Sequence, residues 1–159
     1  MQKRLENLPS PRYAFAIGTS EAYKQWGKAH YAELAQRLIE RGAGVVLIGG
    51  PAEAQLAQDI EAIVPQDLRH GLAIVTDAPV LGSAALLQRV NVCVGNDTGM
   101  VNVAAAVGTT TFVLIGHRRT LDHDPEHLFN VQAASLAEVT VEQVFELITS
   151  RVPIAEAAA

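Results

Sequence analysis

Short apolar runs alternate along this chain with longer segments of helical spacing. Tyr13 to Ile17 alternates weakly and predicts a first strand, which runs into Gly18-Thr19-Ser20. Residues 21 to 28 read as a loop carrying Lys24, Trp26 and Lys28. From about Ala29 to Arg41, Tyr31, Leu34, Leu38 and Ile39 recur at the spacing of one helix face, and Gly42 suits the C-cap. Val45 to Ile48 is apolar without interruption, the pattern of a strand buried on both faces of a parallel sheet. Gly49-Gly50-Pro51 then leads into a second helix, with Leu56, Ile60 and Ile63 on one face and Pro65 as its stop. Leu72 to Val75 is a weaker strand, followed by the turn Thr76-Asp77-Ala78-Pro79. Residues 80 to 89 read as a helix with Leu81, Ala84, Ala85 and Leu87 inward. Beyond a polar loop from Gly116 to Glu126, Phe129 to Val131 predicts a short edge strand. Val141, Val144, Phe145 and Ile148 stripe a last helix over Val141 to Arg151.

The stretch Asn91 to Gly99 organises the rest. Val92, Cys93 and Val94 read as a buried strand, and Gly95 and Gly99 bracket a turn. Asp97 and Thr98 are both good N-cap residues for a short, small-residue helix from Met100 to Val107. Gly108 closes that helix, and Thr109 to Ile115 is another β-branched strand. This is a βαβ unit that aims backbone N–H groups and one carboxylate at a single point, which suits a phosphate or a polyhydroxylated ligand. A plain helix-capped turn reads the same residues equally well. The Asp-Thr-Gly of an aspartic protease would need an all-β lobe and a second carboxylate, which the flanking helical patterns oppose.

Strands alternating with helices predict an α/β fold, a doubly wound parallel sheet of three layers. Residues 1 to 11 form a polar lead-in, 12 to 151 one domain, and 152 to 159 a tail expected to fray. In such sheets ligands sit beyond the carboxyl ends of the strands. That rule brings Gly18-Thr19-Ser20, Gly49 to Glu53, Thr76-Asp77, Gly95 to Gly99 and Gly116 to Arg119 to one edge.

Composition narrows the function classes. The 159 residues include 12 Lys+Arg against 17 Asp+Glu, a formal net charge of −5, with no basic run longer than Arg118-Arg119 and its like. On charge grounds no nucleic-acid partner is expected. No apolar run reaches the length of a membrane span. The single Cys93 excludes an internal disulfide and fits a reduced, cytoplasmic setting, the inner face of the membrane included.

At the predicted edge, Thr19 and Ser20 offer hydroxyls and Lys24 a positive charge, a set able to hold a diphosphate; a solvated surface lysine is the alternative for Lys24. Glu53 opens a helix after a Gly-Gly turn and could accept from both ribose hydroxyls, or simply favour the helix dipole. Trp26 reads best as a packing anchor. His117, Arg118 and Arg119 form the most basic spot, either meeting a phosphate or lying in a solvated loop. His123 and His127 flank acidic residues, but Pro125 breaks the helix that a His-Glu-x-x-His metal site needs, so no metal site is assigned.

The ordered set Gly18-Thr19-Ser20, Lys24-Gln25-Trp26-Gly27, Tyr31-Ala32-Glu33-Leu34-Ala35, Val45 to Glu53 and Val94-Gly95-Asn96-Asp97-Thr98-Gly99 resembles the C-terminal half of the glycosyltransferase family 9 enzymes, the lipopolysaccharide heptosyltransferases. The resemblance implies a Rossmann-like domain that is one half of a two-lobed GT-B type transferase. Its ligand would be a nucleotide-sugar donor, ADP-heptose or a related one, bound without a cofactor or metal. It places the diphosphate on Thr19, Ser20 and Lys24 and the ribose on Glu53. Asp97, Thr98 and Gly99 would meet the sugar and the adjoining phosphate, with Asn102 nearby. The acceptor platform and the catalytic base are expected on another lobe or partner chain, so the chain alone is expected not to transfer sugar. The sequence departs from the family pattern at Gln25 and Gly27, where Arg and Pro are usual, and at Asn102, where His is usual. A non-catalytic nucleotide-binding or protein-interaction module on the same scaffold is the other reading.

Overall fold

Six parallel strands make one sheet in the computed structural model, which describes residues 5–116 and 118–154. The strands are β1 (Arg12–Ala16), β2 (Gly44–Ile48), β3 (Leu72–Val75), β4 (Val92–Asn96), β5 (Thr110–Leu114) and β6 (Leu128–Val131). Their order is β3-β2-β1-β4-β5-β6, and each neighbouring pair is parallel. The helices are α1 (Lys28–Glu40), α2 (Ala54–Ile63), α3 (Val80–Leu87), α4 (Gly99–Ala106) and α5 (Val141–Arg151). This is the α/β, Rossmann-like order in which the direction of winding reverses between β1 and β4.

The period of two along each strand divides the core in two. Tyr13, Phe15, Val45, Leu47, Val92, Val94, Phe112 and Leu114 face α1, α2 and α5. Ala14, Ala16, Val46, Ile48, Cys93 and Val113 face α3 and α4. The second face is lined with small residues at the centre, which lets α4 approach closely. A Cβ at Gly95 would sit 2.7 Å from the Ala16 carbonyl oxygen and 3.0 Å from a Val101 methyl. Cys93 is fully buried at the sheet centre, and burial pushes its thiol up to about 12.

Helix phase differs from the sequence reading in two places. In α3 the buried stripe is Ser83, Leu86 and Leu87, continued by Val90, while Leu81 is 84% exposed and Ala85 is exposed too. This helix is apolar nearly all round, so periodicity does not set which side faces the sheet. In α2 the inward stripe is Ala57, Ile60 and then Val64, and Ile63 at the helix end points out. Within the stretch read as a polar lead-in, Leu5 and Leu8 are buried and pack on the α3–α4 side. The tail from residue 155 onward, residues 1 to 4 and His117 lie outside the described residues. No helix among the described residues is long and apolar enough to cross a membrane.

Candidate functional site

The turns that leave β1, β2 and β4 meet at one cleft. Gly18, Thr19 and Ser20 follow β1, Gly49 and Gly50 follow β2, and Asp97 and Thr98 follow β4. Together with Lys24, Glu53, Gly99, Met100 and Asn102 they line a cavity of about 480 Å³. Thr19, Ser20, Lys24, Glu53, Asp97, Thr98, Gly99 and Asn102, which are scattered over more than half the chain, therefore share one enclosure. Thr76 and Asp77, placed at the same sheet edge by sequence, are not part of its lining.

Local chemistry sets each wall. Thr98 is the N-cap of α4, its Oγ1 accepting from the Met100 N–H at 3.0 Å. Asn102, one turn on, donates to the Thr98 carbonyl at 3.3 Å, and its Oδ1 is shielded from solvent with no hydrogen-bond partner. Thr19 Oγ1 accepts from the Glu21 N–H at 3.2 Å and so shapes the turn after β1. Glu53 sits between the short 3₁₀ turn Pro51–Glu53 and α2, and its Oε2 accepts from the Gly50 N–H at 3.0 Å. The carboxylate lies close against Gly18, where any Cβ would collide with it, and a Cβ at Gly49 would come within 2.9 Å of the Glu53 Cβ. The two glycines thus make the slot that holds this carboxylate.

The rim carries alternating charge. Lys24 Nζ is 3.1 Å from Glu21 Oε2 and 3.9 Å from Asp97 Oδ2. Arg118 Nη1 donates to the same Asp97 oxygen at 3.1 Å. Both cations also lie over the Tyr23 ring, Lys24 at 5.9 Å and Arg118 at 5.7 Å from its centroid. The Tyr23 hydroxyl, and after it Lys24, holds the Glu21 carboxyl below its ordinary value. The bond to Glu21 in turn holds the Lys24 ammonium above its own, so Lys24 stays charged. Arg118 is thus paired with a carboxylate of the cleft wall, and the solvated-loop reading does not hold for it. It is not part of the first cavity's lining; with Arg119, Asp122 and His123 it lines a second cavity of about 390 Å³ that shares Asp97 with the first. Its proximity to Asp97 has no local sequence signal, because the two are 21 residues apart.

A buried asparagine, not singled out by the sequence reading, ties the site together. Asn96, fully buried at the end of β4, accepts from the Trp26 N–H at 3.1 Å and the Tyr31 hydroxyl at 2.8 Å. Its amide donates to the Ile17 carbonyl at 2.9 Å and to Gln25 Oε1 at 3.0 Å. Gln25 donates to the same Ile17 carbonyl at 3.0 Å and accepts from the Gly27 N–H at 3.1 Å. Trp26 is an anchor as read: it is buried, stacks on His30 at 4.8 Å, and donates Nε1–H to the Val139 carbonyl at 2.9 Å. Gly27 has φ +111°, a conformation closed to proline, whose ring fixes φ near −65°. The loop bearing Lys24 is therefore locked onto β1 and β4 by neutral groups. Among the described residues, no three His, Cys, Asp or Glu side chains come together as a metal would need.

The family model of glycosyltransferase family 9 (heptosyltransferase) matches residues 1–128. The chain belongs to this family. Curated relatives include a lipopolysaccharide heptosyltransferase 1 of Pseudomonas aeruginosa, 33% identical over 108 residues, covering 67% of this chain and 29% of that protein. A lipooligosaccharide heptosyltransferase 2 of Haemophilus influenzae is 32% identical over 94 residues, covering 58% of this chain and 27% of its own length. The matched segments span under a third of the length of these relatives. Its fold is that of the Escherichia coli ADP-heptose lps heptosyltransferase II, with a TM-score of 0.81 at 24% identity over 88% of this chain and 46% of that one. An E. coli heptosyltransferase solved with ADP-2-deoxy-2-fluoro heptose superposes with a TM-score of 0.74 at 22% identity, covering 94% of this chain and 47% of the other.

Proposed function

We propose that this chain is the donor-binding half of a heptosyltransferase-like glycosyltransferase, with a nucleotide-sugar of the ADP-heptose class in the 480 Å³ cleft and a role in lipopolysaccharide core synthesis at the cytoplasmic side. One observation carries the reading. Eight residues picked for nucleotide-sugar chemistry, far apart in sequence, line a single cleft at the β1/β4 switch point, where open α/β sheets bind ligands. Family membership supports the reaction class, and a relative of this fold was solved with an ADP-heptose analogue.

On this reading the diphosphate lies against the Thr19-Ser20 turn and Lys24, whose ammonium neutralises charge on the departing nucleoside diphosphate. Glu53 takes the ribose hydroxyls. Its bond to the Gly50 N–H orients the carboxylate before any ligand arrives, so little ordering is left to binding. Asn102 Oδ1, shielded and unpartnered, accepts from a sugar hydroxyl, a role an amide oxygen fills and a phosphate does not need. The acceptor and the base that takes its proton come from another lobe or chain. Holding the acceptor in place is worth up to ~7–11 kcal/mol of barrier. A positioned base adds about 10²–10⁴-fold.

Calorimetry with ADP-, UDP- and GDP-sugars tests the donor class, and tightest binding of the ADP-sugar is the expected result. Incubation with ADP-heptose and a heptose-deficient lipopolysaccharide, with and without a separately expressed acceptor lobe, tests the division of labour. Binding without turnover, rescued by the added lobe, supports the reading. Robust transfer by the chain alone refutes the missing base.

A further inference from the structure

Across Asp97 from the cleft, in the adjoining cavity, stands one cation that the nucleotide-sugar reading leaves unused. Arg118 spends Nη1 on Asp97, but its Nη2 is shielded from solvent and has no hydrogen-bond partner. A guanidinium N–H kept from water without an acceptor is costly, and such groups mark a missing partner. The side chain is held on two sides, by Asp97 at 3.1 Å and by the Tyr23 ring at 5.7 Å, so it is placed before any ligand binds. Lys24 meets the same Asp97 oxygen from the other side at 3.9 Å. The two cations thus converge on one carboxylate oxygen, close enough for a single diphosphate to touch both.

We propose that Arg118 is a second diphosphate-binding residue of the cleft, positioned by Asp97 and donating Nη2–H to a phosphoryl oxygen of the donor. The proposal rests on the donor-cleft reading above. Arg118 brings to the rim a permanent, forked donor from the segment after β5, whereas Asn102 on α4 offers only a neutral amide. Asp97 then acts through Arg118 as well as lining the cavity: it fixes the guanidinium and leaves one edge of the fork for the ligand. Arg119, the neighbouring cation, is exposed.

Titration calorimetry with inorganic pyrophosphate, ADP and adenosine decides it. Arg118→Gln keeps most of the stem and removes the charge, while Arg118→Lys keeps the charge and loses the fork. Arg119→Ala removes the same formal charge next door. Expected is a loss of tenfold or more for pyrophosphate and ADP in Arg118→Gln, partial recovery in Arg118→Lys, a change within about twofold in Arg119→Ala, and unchanged adenosine affinity throughout. Equal or tighter pyrophosphate binding in Arg118→Gln overturns the proposal, since Arg118 would then serve only to neutralise Asp97. Equal losses in Arg118→Gln and Arg119→Ala overturn it too, as a general charge effect. Arg118-dependent pyrophosphate binding by a chain that ignores ADP keeps the proposal and defeats the nucleotide reading. No binding of either ligand by the unaltered chain defeats both. If Arg118→Gln does not fold, a pyrophosphate affinity in Arg118→Lys equal to that of the unaltered chain overturns the forked-donor role, and a loss of threefold or more supports it.

Discussion

The Tyr31 hydroxyl donates to Asn96 Oδ1 at 2.8 Å, joining helix α1 to the end of strand β4 inside the core. Tyr31 is wholly buried, and desolvation raises its phenol well above the ordinary range, so it stays a donor at any working pH. Through Asn96 this bond reaches the Trp26 N–H and the Ile17 carbonyl, and hence the two turns that carry Lys24 and Thr19.

Asn96 is therefore expected to matter more than Tyr31. Tyr31→Phe removes one donor and leaves Asn96 Oδ1 its bond from Trp26, at a cost of about 0.5–1.5 kcal/mol. Asn96→Leu strands the Trp26 N–H and the Tyr31 hydroxyl in the interior, at about 1–3 kcal/mol for each group left unsatisfied, while the Ile17 carbonyl keeps its bond from Gln25. Urea unfolding of both variants checks the order. A smaller loss in Asn96→Leu than in Tyr31→Phe would mean that the network relaxes onto other partners.

Lys24 and Glu21 are expected to act in opposite directions on ligand affinity. Lys24 must leave Glu21, 3.1 Å away, or share itself with the incoming phosphate. Lys24→Ala should weaken ADP by about 1–3 kcal/mol, the range of a charge-assisted contact. Glu21→Gln should tighten it several-fold, because the competing carboxylate is gone. Calorimetry on the pair of variants reads both signs, and a tighter-binding Lys24→Ala would place the diphosphate elsewhere.

The Gly18–Glu53 packing makes a sharper prediction. Gly18→Ala puts a methyl group where the Glu53 carboxylate lies, so the carboxylate must swing away. Its effect should copy that of Glu53→Ala: weaker binding of adenosine-containing ligands, with bare pyrophosphate nearly unaffected. Loss of pyrophosphate binding in either variant would count against the ribose role of Glu53.

Alkaline pH should destabilise the fold. Burial raises Cys93 from an ordinary 9.0 to about 12 and Tyr13 from 10.0 to about 12. Both neutral forms belong to the folded state, so the stability they contribute is complete below the unfolded values and is lost as pH climbs toward 12. The slope is about 1.4 kcal/mol per pH unit for each group once its unfolded form ionises. Cys93→Ala should flatten the decline of melting temperature between pH 9 and 10, where the thiol is the more fully ionised of the two groups in the unfolded chain. An unchanged slope would show that Cys93 ionises in the folded protein.

Much of this protein is written locally. Uninterrupted apolar runs such as Val45 to Ile48, separated by helical spacing and Gly-rich turns, demand a parallel sheet covered on both faces. Once that sheet is accepted, the rule that ligands bind at carboxyl ends brings Thr19, Glu53 and Asp97 to one edge before any coordinates exist. The last helix, Val141–Arg151, is legible to the residue because its polar and apolar faces differ.

Tertiary structure decided what has no local period. The side α3 turns to the sheet is set by packing, since Leu81 and Leu86 are equally apolar and only one fits beneath the helix. Leu5 and Leu8 are buried because the sheet offers a free apolar surface, which a polar lead-in does not announce. Asn96 and Trp26 are 70 residues apart, and Asp97 and Arg118 are 21 apart. A hydrogen bond or ion pair between such residues depends on where strands β1, β4 and β5 stop relative to one another, a property of sheet register that no single stretch of the chain contains.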